Sequence, residues 1–188
     1  VLPRVKPCVL LSADATNIRK EGMRLLHTFA VLGADARQRY LAELLAASGF
    51  AVHTFAVPEL PGAASSLEEA VSQADAVCLP TPAITSGAIT DLPELTPAHL
   101  LSLLPERAVV FGGGLGACRT LLQKTHTPYY DFLQNSALAA QNASLTAEGA
   151  LLLALQAMPI AIRDSAVLVT GFGRIGKSLS AKLHSLGA

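Results

Sequence analysis

Short apolar runs alternate with longer amphipathic stretches along most of the chain, which is the pattern of strands alternating with helices. The apolar run 28–32 is followed by a stretch with leucines on one helical face and a stop at Gly49, and then by the apolar run 51–55. Strand, helix and strand at this spacing predict a βαβ unit, whose strands are parallel and whose crossover is right-handed.

The alternation continues to the end of the chain. Further strands are predicted at 76–79, 108–111, 127–130 and 166–170. Further helices are predicted at 67–73, at 147–158 after a Thr146 cap, and after the glycines at 171–176. Another begins at Pro97 after a Thr96 cap, a separate one follows the glycines at 112–116 and ends at Gln123, and one or two short helices lie within 131–141. The segment 80–97, rich in Pro, Thr and Gly, is predicted to be a long loop.

The predicted fold class is therefore α/β: an open, parallel, doubly wound sheet of flavodoxin or Rossmann type, followed by the first strand and helix of a second Rossmann domain. We expect residues 1–22 to be an extension outside the native domain, with Met23 as the native start. Residues 23–145 form the α/β domain, 146–162 an interdomain helix and linker, and 163–188 the start of an incomplete dinucleotide domain.

Composition narrows the function classes. The net charge of the 188 residues is zero, which argues against nucleic acid as a partner. No apolar run reaches the roughly 18 residues of a membrane span. The three cysteines, Cys8, Cys78 and Cys118, lack metal-ligand spacing and suit a reducing cytoplasm, so we predict no metal site.

The glycines at 171–176 predict a dinucleotide site. Gly171 permits a tight turn, Gly173 lets a pyrophosphate approach the backbone, and Gly176 lets the helix lie close to the strand. The helix N-terminus then offers N–H groups and the positive end of its dipole to the phosphates. The predicted cofactor-binding residues are Gly171, Gly173, Arg174, Ile175 and Gly176.

The same segment fits a P-loop, because Gly171 and Gly176-Lys177-Ser178 satisfy G-x-x-x-x-G-K-[ST]. A structural glycine turn without a ligand is a third interpretation. The dinucleotide is favoured because only that motif needs Gly173, because the following helix continues an apolar face, and because the preceding chain is itself α/β.

Several segments together resemble the A subunit of dipicolinate synthase. They are Ala30–Gln38, Leu79-Pro80, Thr96–His99, Phe111–Gly113, Asn142 with Thr146–Gly149, and Gly171–Gly176 with the Leu186-Gly187-Ala188 ending, in family order. The resemblance covers the chain from about Met23 onward. The Gly-x-Asp-Ala-Arg-Gln and Thr-Ala-Glu-Gly segments are more specific than the glycine motif.

The resemblance implies an oxidoreductase that passes a hydride to NADP or NAD and forms dipicolinate during sporulation. The implied substrate is a small-molecule dicarboxylate, a dihydro- or hydroxytetrahydro-dipicolinate of the lysine pathway. The implied partner is a flavoprotein-like B subunit, and we expect a cytoplasmic homo-oligomer.

Strand-end loops supply the predicted substrate site. Arg37 is the main candidate because a guanidinium binds a carboxylate through two parallel hydrogen bonds; the alternative is an ion pair with Asp35 or Glu43. Asp35 is predicted to belong to the same substrate-binding group, where it is expected to cap the helix or orient Arg37. The other predicted substrate contacts in this domain are Thr81, Gly112 and Gly113, for which ordinary turn roles are the alternative.

A second group surrounds the predicted helix start at Thr146. Asn142 and Glu148 are the candidate catalytic residues, with Glu148 accepting a proton, and Thr146 is a candidate substrate contact. The alternative for Glu148 is simple stabilisation of the helix dipole. Two rival functions stay open: a P-loop nucleotide-binding enzyme, and a non-catalytic binding subunit of a two-subunit enzyme.

Overall fold

The computed structural model describes residues 26–58, 60 and 63–188. The expectations for residues 1–22 and for Met23 lie outside the described residues. The chain divides into two compact units, the first ending at Phe132 and the second beginning at Leu133. The units are considered separately below.

The first unit contains all the strands found in the described part of the chain. They are β1 (Thr28–Leu32), β2 (Ala51–Phe55), β3 (Ala76–Cys78), β4 (Ile84–Thr85), β5 (Ala88–Ile89), β6 (Val109–Gly112) and β7 (Tyr129–Asp131). The main sheet is five-stranded and parallel, in the order β2-β1-β3-β6-β7. The predicted open parallel sheet is confirmed, with β6 and β7 beginning one and two residues later than expected.

The helices of the first unit are α1 (Ala36–Ala47), α2 (Leu67–Val71), α3 (Pro97–Leu103) and α4 (Arg119–Lys124), with a 3-10 turn at Leu115–Cys118. Asp35 caps α1, and Thr96 caps α3 with Pro97 in the first turn. Both caps were predicted, because a short polar side chain that accepts the free N–H groups is a local property of the sequence.

Alternating side chains build a core on each face of the sheet. Leu32, Val77 and Val110 pack on one face with residues of α2, α3 and α4. Val31 and Ala76 point to the other face, where Ala42 of α1 joins them. Because successive residues of a strand point to opposite faces, helices on both sides follow directly from the strand positions.

The predicted loop 80–97 contains a short antiparallel hairpin, β4 with β5. Its turn uses Ser86 and Gly87, both at positive φ, which is the backbone that such tight hairpins require. Ile89 is 1% exposed and belongs to the core. The hairpin is therefore packed against the sheet.

The second unit contains two helices in its described residues, α5 (Ser136–Ala157) and α6 (Arg174–Ser185). The predicted helix start at Thr146 is wrong. Asn135 caps α5, accepting the N–H groups of Ala137 and Leu138 at 3.0 and 3.1 Å. The Thr146 hydroxyl instead donates to the Asn142 carbonyl at 2.8 Å inside the helix, as threonines do in helix interiors.

The predicted strand at 166–170 is also wrong as a strand. The residues carry no strand assignment, and Leu168 is 87% exposed. A strand is defined by hydrogen bonds shared with a neighbour, and no described strand pairs with this segment. Its β-branched composition alone is therefore not sufficient to form one.

Candidate functional site

The order of the sheet creates a switch point between β1 and β3, because connections leave these adjacent strands in opposite directions along the sheet. Ligands of open α/β sheets bind beyond the carboxyl ends of the strands at such a point. Asp35 and Arg37 follow β1 here, and Thr81 follows β3.

Asp35 both caps α1 and orients Arg37. One carboxylate oxygen, Oδ1, accepts the N–H groups of Arg37 and Gln38 at 2.6 and 3.3 Å. The other, Oδ2, accepts from Arg37 Nε at 2.8 Å and also from Nη2. The guanidinium lowers the pKa of Asp35, and the carboxylate in turn raises the pKa of Arg37. Both structural roles expected for Asp35 are confirmed.

Arg37 also joins the ends of the two strands at the switch point. Its Nη2 donates to the carbonyl of Thr81 at 2.8 Å, while the side chain stays 67% exposed. The alternative ion pair thus exists, with Asp35 rather than Glu43, which lies 4.0 Å from Arg39. Contact between Arg37 and a substrate stays a prediction. It is favoured because the guanidinium is held in one orientation and is open to solvent.

Asp91 and Gln38 also act in this region, and neither was predicted from the sequence. The Asp91 carboxylate accepts the Ala34 N–H at 3.1 Å, and its charge adds to the rise in the pKa of Arg37. Gln38 is buried and donates to carbonyls at the ends of β1 and β3. Asp91 lies in a loop without hydrophobic periodicity, and Gln38 has polar neighbours along α1. The sequence pattern therefore did not distinguish either residue from its neighbours.

The glycine loop after β6 is closely packed. The carbonyl of Gly113 accepts the Ala83 N–H at 2.7 Å, and a Cβ at Gly113 would lie 2.8 Å from both Thr81 and Phe132. These contacts explain a glycine at this position. Binding of substrate by Thr81, Gly112 and Gly113 stays a prediction.

Asp131, at the end of β7, is a further residue that the sequence did not reveal. Its carboxylate oxygens accept the N–H groups of Gly114 and Leu115 at 3.0 and 2.9 Å. The backbone N–H groups at the end of the glycine loop are therefore bonded to a carboxylate of the protein itself.

The predicted cluster at Thr146 is not at a helix start. Asn142, Thr146 and Glu148 are exposed residues in the interior of α5. Glu148 pairs with Lys182 of α6 at 2.9 Å. Both the helix-start argument and the helix-dipole alternative for Glu148 are wrong, because the dipole acts within the terminal turns. The catalytic and substrate roles of these residues stay predictions that rest on the family resemblance.

The glycine turn before α6 has the predicted geometry. Gly171 has φ +99°, and nothing lies within 4 Å of a Cβ built on Gly173. A Cβ on Gly176 would overlap the carbonyl oxygen of Gly171. The turn at Gly171 and the open backbone at Gly173 fit a dinucleotide pyrophosphate at the start of α6, while Gly176 leaves room for the carbonyl of Gly171.

The same helix differs from a P-loop. A P-loop uses the N–H groups around its Gly-Lys pair to cradle phosphate. Here α6 already begins at Arg174, and the Lys177 N–H donates to the Gly173 carbonyl at 2.9 Å. The Lys177 ammonium lies over the Phe172 ring, 5.7 Å from its centroid. The geometry therefore favours the dinucleotide interpretation.

Other chemistry finds little support in the described residues. They contain no cluster of His, Cys, Asp and Glu suited to a metal ion. Burial raises the pKa of the Cys78 thiol to about 12 and also raises that of Cys118, so neither thiol is activated as a nucleophile. No helix in the described part of the chain has the length and apolarity needed to cross a membrane.

Comparison with known proteins bears on the first unit most directly. Residues 28–133 match the family defined by the N-terminal domain of the dipicolinate synthase A subunit. A search of curated protein sequences found none that matches.

Two solved structures share the fold. The A chain of dipicolinate synthase from Bacillus subtilis is 24% identical, with a TM-score of 0.69 over 86% of this chain and 58% of that one. The A subunit of dipicolinate synthase from Bacillus halodurans is 24% identical, with a TM-score of 0.68 over 86% and 59% of the two chains. The chain thus spans less than two thirds of the length of either. Through its first unit, the chain belongs to the family of dipicolinate synthase A subunits.

Proposed function

We propose that this chain takes part in an NAD(P)-dependent oxidoreductase reaction of the dipicolinate synthase type. The first unit binds a dicarboxylate, and the second unit binds the phosphates of the dinucleotide. The observation that carries the proposal is the turn at Gly171, Gly173 and Gly176, which leaves the start of α6 open to a pyrophosphate in a chain of this family.

Arg37 is the proposed anchor of the substrate. Its position at the switch point and its exposed guanidinium favour a carboxylate ligand. The hydrogen bond to Asp35 restricts rotation of the Arg37 side chain before a ligand binds, which lowers the entropy cost of binding. Thr81, Gly112 and Gly113 are the proposed neighbours of the same ligand. The bound substrate is a dihydro- or hydroxytetrahydro-dipicolinate, and dipicolinate is the product.

The second unit supplies the cofactor residues. Gly171, Gly173, Arg174, Ile175 and Gly176 hold NADP or NAD, which accepts the hydride when it is bound. Glu148 and Asn142 are the proposed catalytic residues, with Glu148 accepting the proton, and Thr146 is a proposed contact of the substrate. A flavoprotein-like B subunit is the proposed partner of a cytoplasmic homo-oligomer active during sporulation.

The test supplies the protein and its flavoprotein-like partner with the lysine-pathway precursor and NADP, or NAD. Reduced nicotinamide and dipicolinate are followed together by absorbance. We expect both to rise only when this chain is present, Arg37→Ala to abolish the rise, and Arg39→Ala to leave it unchanged as the matched control. Glu148→Gln should lower kcat if Glu148 accepts the proton.

Each other outcome rejects a named part of the proposal. Cofactor binding without product formation rejects the substrate. Dicarboxylate binding without any hydride transfer favours the non-catalytic binding protein. Stabilisation by ATP but not by NADP or NAD favours the P-loop enzyme, against the geometry of α6.

A further inference from the structure

Gln38 is one of two polar residues, with Thr54, that are buried in the described part of the chain, each 5% exposed. It lies in the first turn of α1, next to Arg37. Its Nε2 donates to the carbonyl of Leu32 at 2.6 Å and to that of Cys78 at 3.2 Å. A buried amide that donates both of its hydrogens is tightly restrained.

The two acceptors lie where β1 and β3 separate. Val31 is paired with Cys78, so continuing the register places Gly33 opposite Pro80. Gly33 and Pro80 do lie close together, because a Cβ on Gly33 would be 2.5 Å from Pro80 Cγ. Proline has no N–H to give to the ladder. Gln38 therefore supplies a donor where the backbone of β3 has lost one.

Gln38 and Arg37 hold the start of α1 to the end of β3 from two sides. Gln38 reaches the Cys78 carbonyl from within the core. Arg37 reaches the Thr81 carbonyl from the exposed side. The same turn carries the Asp35 cap, whose carboxylate orients the guanidinium. Moving the Gln38 amide would shift the whole turn and Arg37 with it.

We propose that Gln38 is the positioning residue of the switch-point site: by joining the ends of β1 and β3 to the first turn of α1, it sets the position from which Arg37 meets a carboxylate. The substrate part of this inference rests on the function proposed above. The positioning of Arg37 itself does not, and it can be measured without a ligand.

Two substitutions test the role. Gln38→Met keeps the length of the side chain and removes the donor. Gln38→Glu keeps the shape, but its carboxylate must be protonated before it can donate to a carbonyl. Thr54→Val is the matched control, since it alters the other buried polar side chain, on β2. The signal followed is the Arg37 Nε–H resonance, assigned with Arg37→Lys, together with binding of dipicolinate.

At pH 7.5 we expect both Gln38 variants to lose the slow exchange of the Arg37 Nε–H proton and to bind dipicolinate at least about tenfold more weakly. Thr54→Val should retain both. Relative to Gln38→Met at the same pH, Gln38→Glu should regain part of both as the pH is lowered towards 5, because burial raises the pKa of an added carboxyl and the neutral carboxyl donates one hydrogen bond where the amide donates two. Each variant is compared with the wild type at the same pH, because the neighbouring ionisable groups Asp35, Asp91, Arg37 and Cys78 are present in all of them.

The inference is overturned if Gln38→Met leaves the Arg37 resonance and the affinity unchanged, or if Thr54→Val reduces them equally. It is also overturned if Gln38→Glu shows no recovery at low pH while remaining folded by circular dichroism. If the wild type binds no dipicolinate, binding of the proposed product at this site is rejected, and the Arg37 resonance alone decides the role of Gln38.

Discussion

Asp35 joins two functions in one carboxylate, since it caps α1 and holds the guanidinium of Arg37. Its pKa lies below the ordinary value mainly because of the hydrogen bond from Arg37. The charged form therefore stabilises the folded state above the ordinary aspartate pKa of about 3.9, and this contribution is lost as the pH falls through the lowered pKa.

We accordingly expect Asp35→Asn, which keeps the cap, to be less stable than the wild type at pH 7, with the difference shrinking as the pH falls through the lowered pKa of Asp35. Urea unfolding across this range measures the difference. Glu43→Gln is the control, because Glu43 makes only the long 4.0 Å contact with Arg39. A difference that stays constant at all pH values would contradict the role of the charge.

Gly113 shows how closely the strand-end loops pack. A Cβ there would lie 2.8 Å from both Thr81 Cγ2 and Phe132 Cε2. We expect Gly113→Ala to lower the free energy of unfolding by about 1–3 kcal/mol, measured by urea unfolding. Gly116→Ala should be nearly neutral, because nothing lies within 4 Å of its Cβ. Equal effects of the two would show that the loops are not in contact.

Among the elements, α5 departs most from the sequence prediction. A run rich in alanine and leucine continues through Thr146 and Gly149, and the start is set by Asn135. The prediction placed the cap at Thr146, because threonine is a common N-cap residue. The same residues are tolerated in a helix interior when the hydroxyl bonds back to the previous turn.

We expect Asn135→Ala to destabilise the second unit by about 1 kcal/mol, because it removes the acceptor of two free N–H groups. Thr146→Ala should be neutral or slightly stabilising, since alanine is the better helix former. Amide hydrogen exchange separates the two: protection at Ala137 and Leu138 should fall only in Asn135→Ala. A larger loss in Thr146→Ala would restore the predicted helix start.

For the whole molecule, the separate chemistry proposed for the two units can be tested independently. Gly176→Ala would place a Cβ against the Gly171 carbonyl oxygen and open the turn. We expect it to abolish the thermal stabilisation of the chain by NADP or NAD while leaving dipicolinate binding intact. Gly149→Ala is the control, because it adds a Cβ in open space within α5. Loss of dinucleotide binding in both variants would remove the glycine turn from the cofactor site.

Local patterns were sufficient for the strands of the βαβ unit, the caps at Asp35 and Thr96, and the tight turn at Gly171. Each depends on side chains within a few residues of one another, which share the same backbone whatever the rest of the chain does. The alternation of strands and helices likewise implied a parallel sheet before the strand order was known.

The partners of Gln38, Asp91 and Asp131 depended on the assembled fold. The contacts of Gln38 with Cys78, of Asp91 with Ala34 and of Asp131 with Gly114 join segments that are distant in sequence, and the sheet order β2-β1-β3-β6-β7 brings them together. The same dependence on neighbours explains why residues 166–170 do not form a strand. Their composition suits a strand, but no described strand pairs with them. The local sequence determines which helices and strands can form. Which of them do form depends on strand pairing and hydrogen bonding in the packed chain.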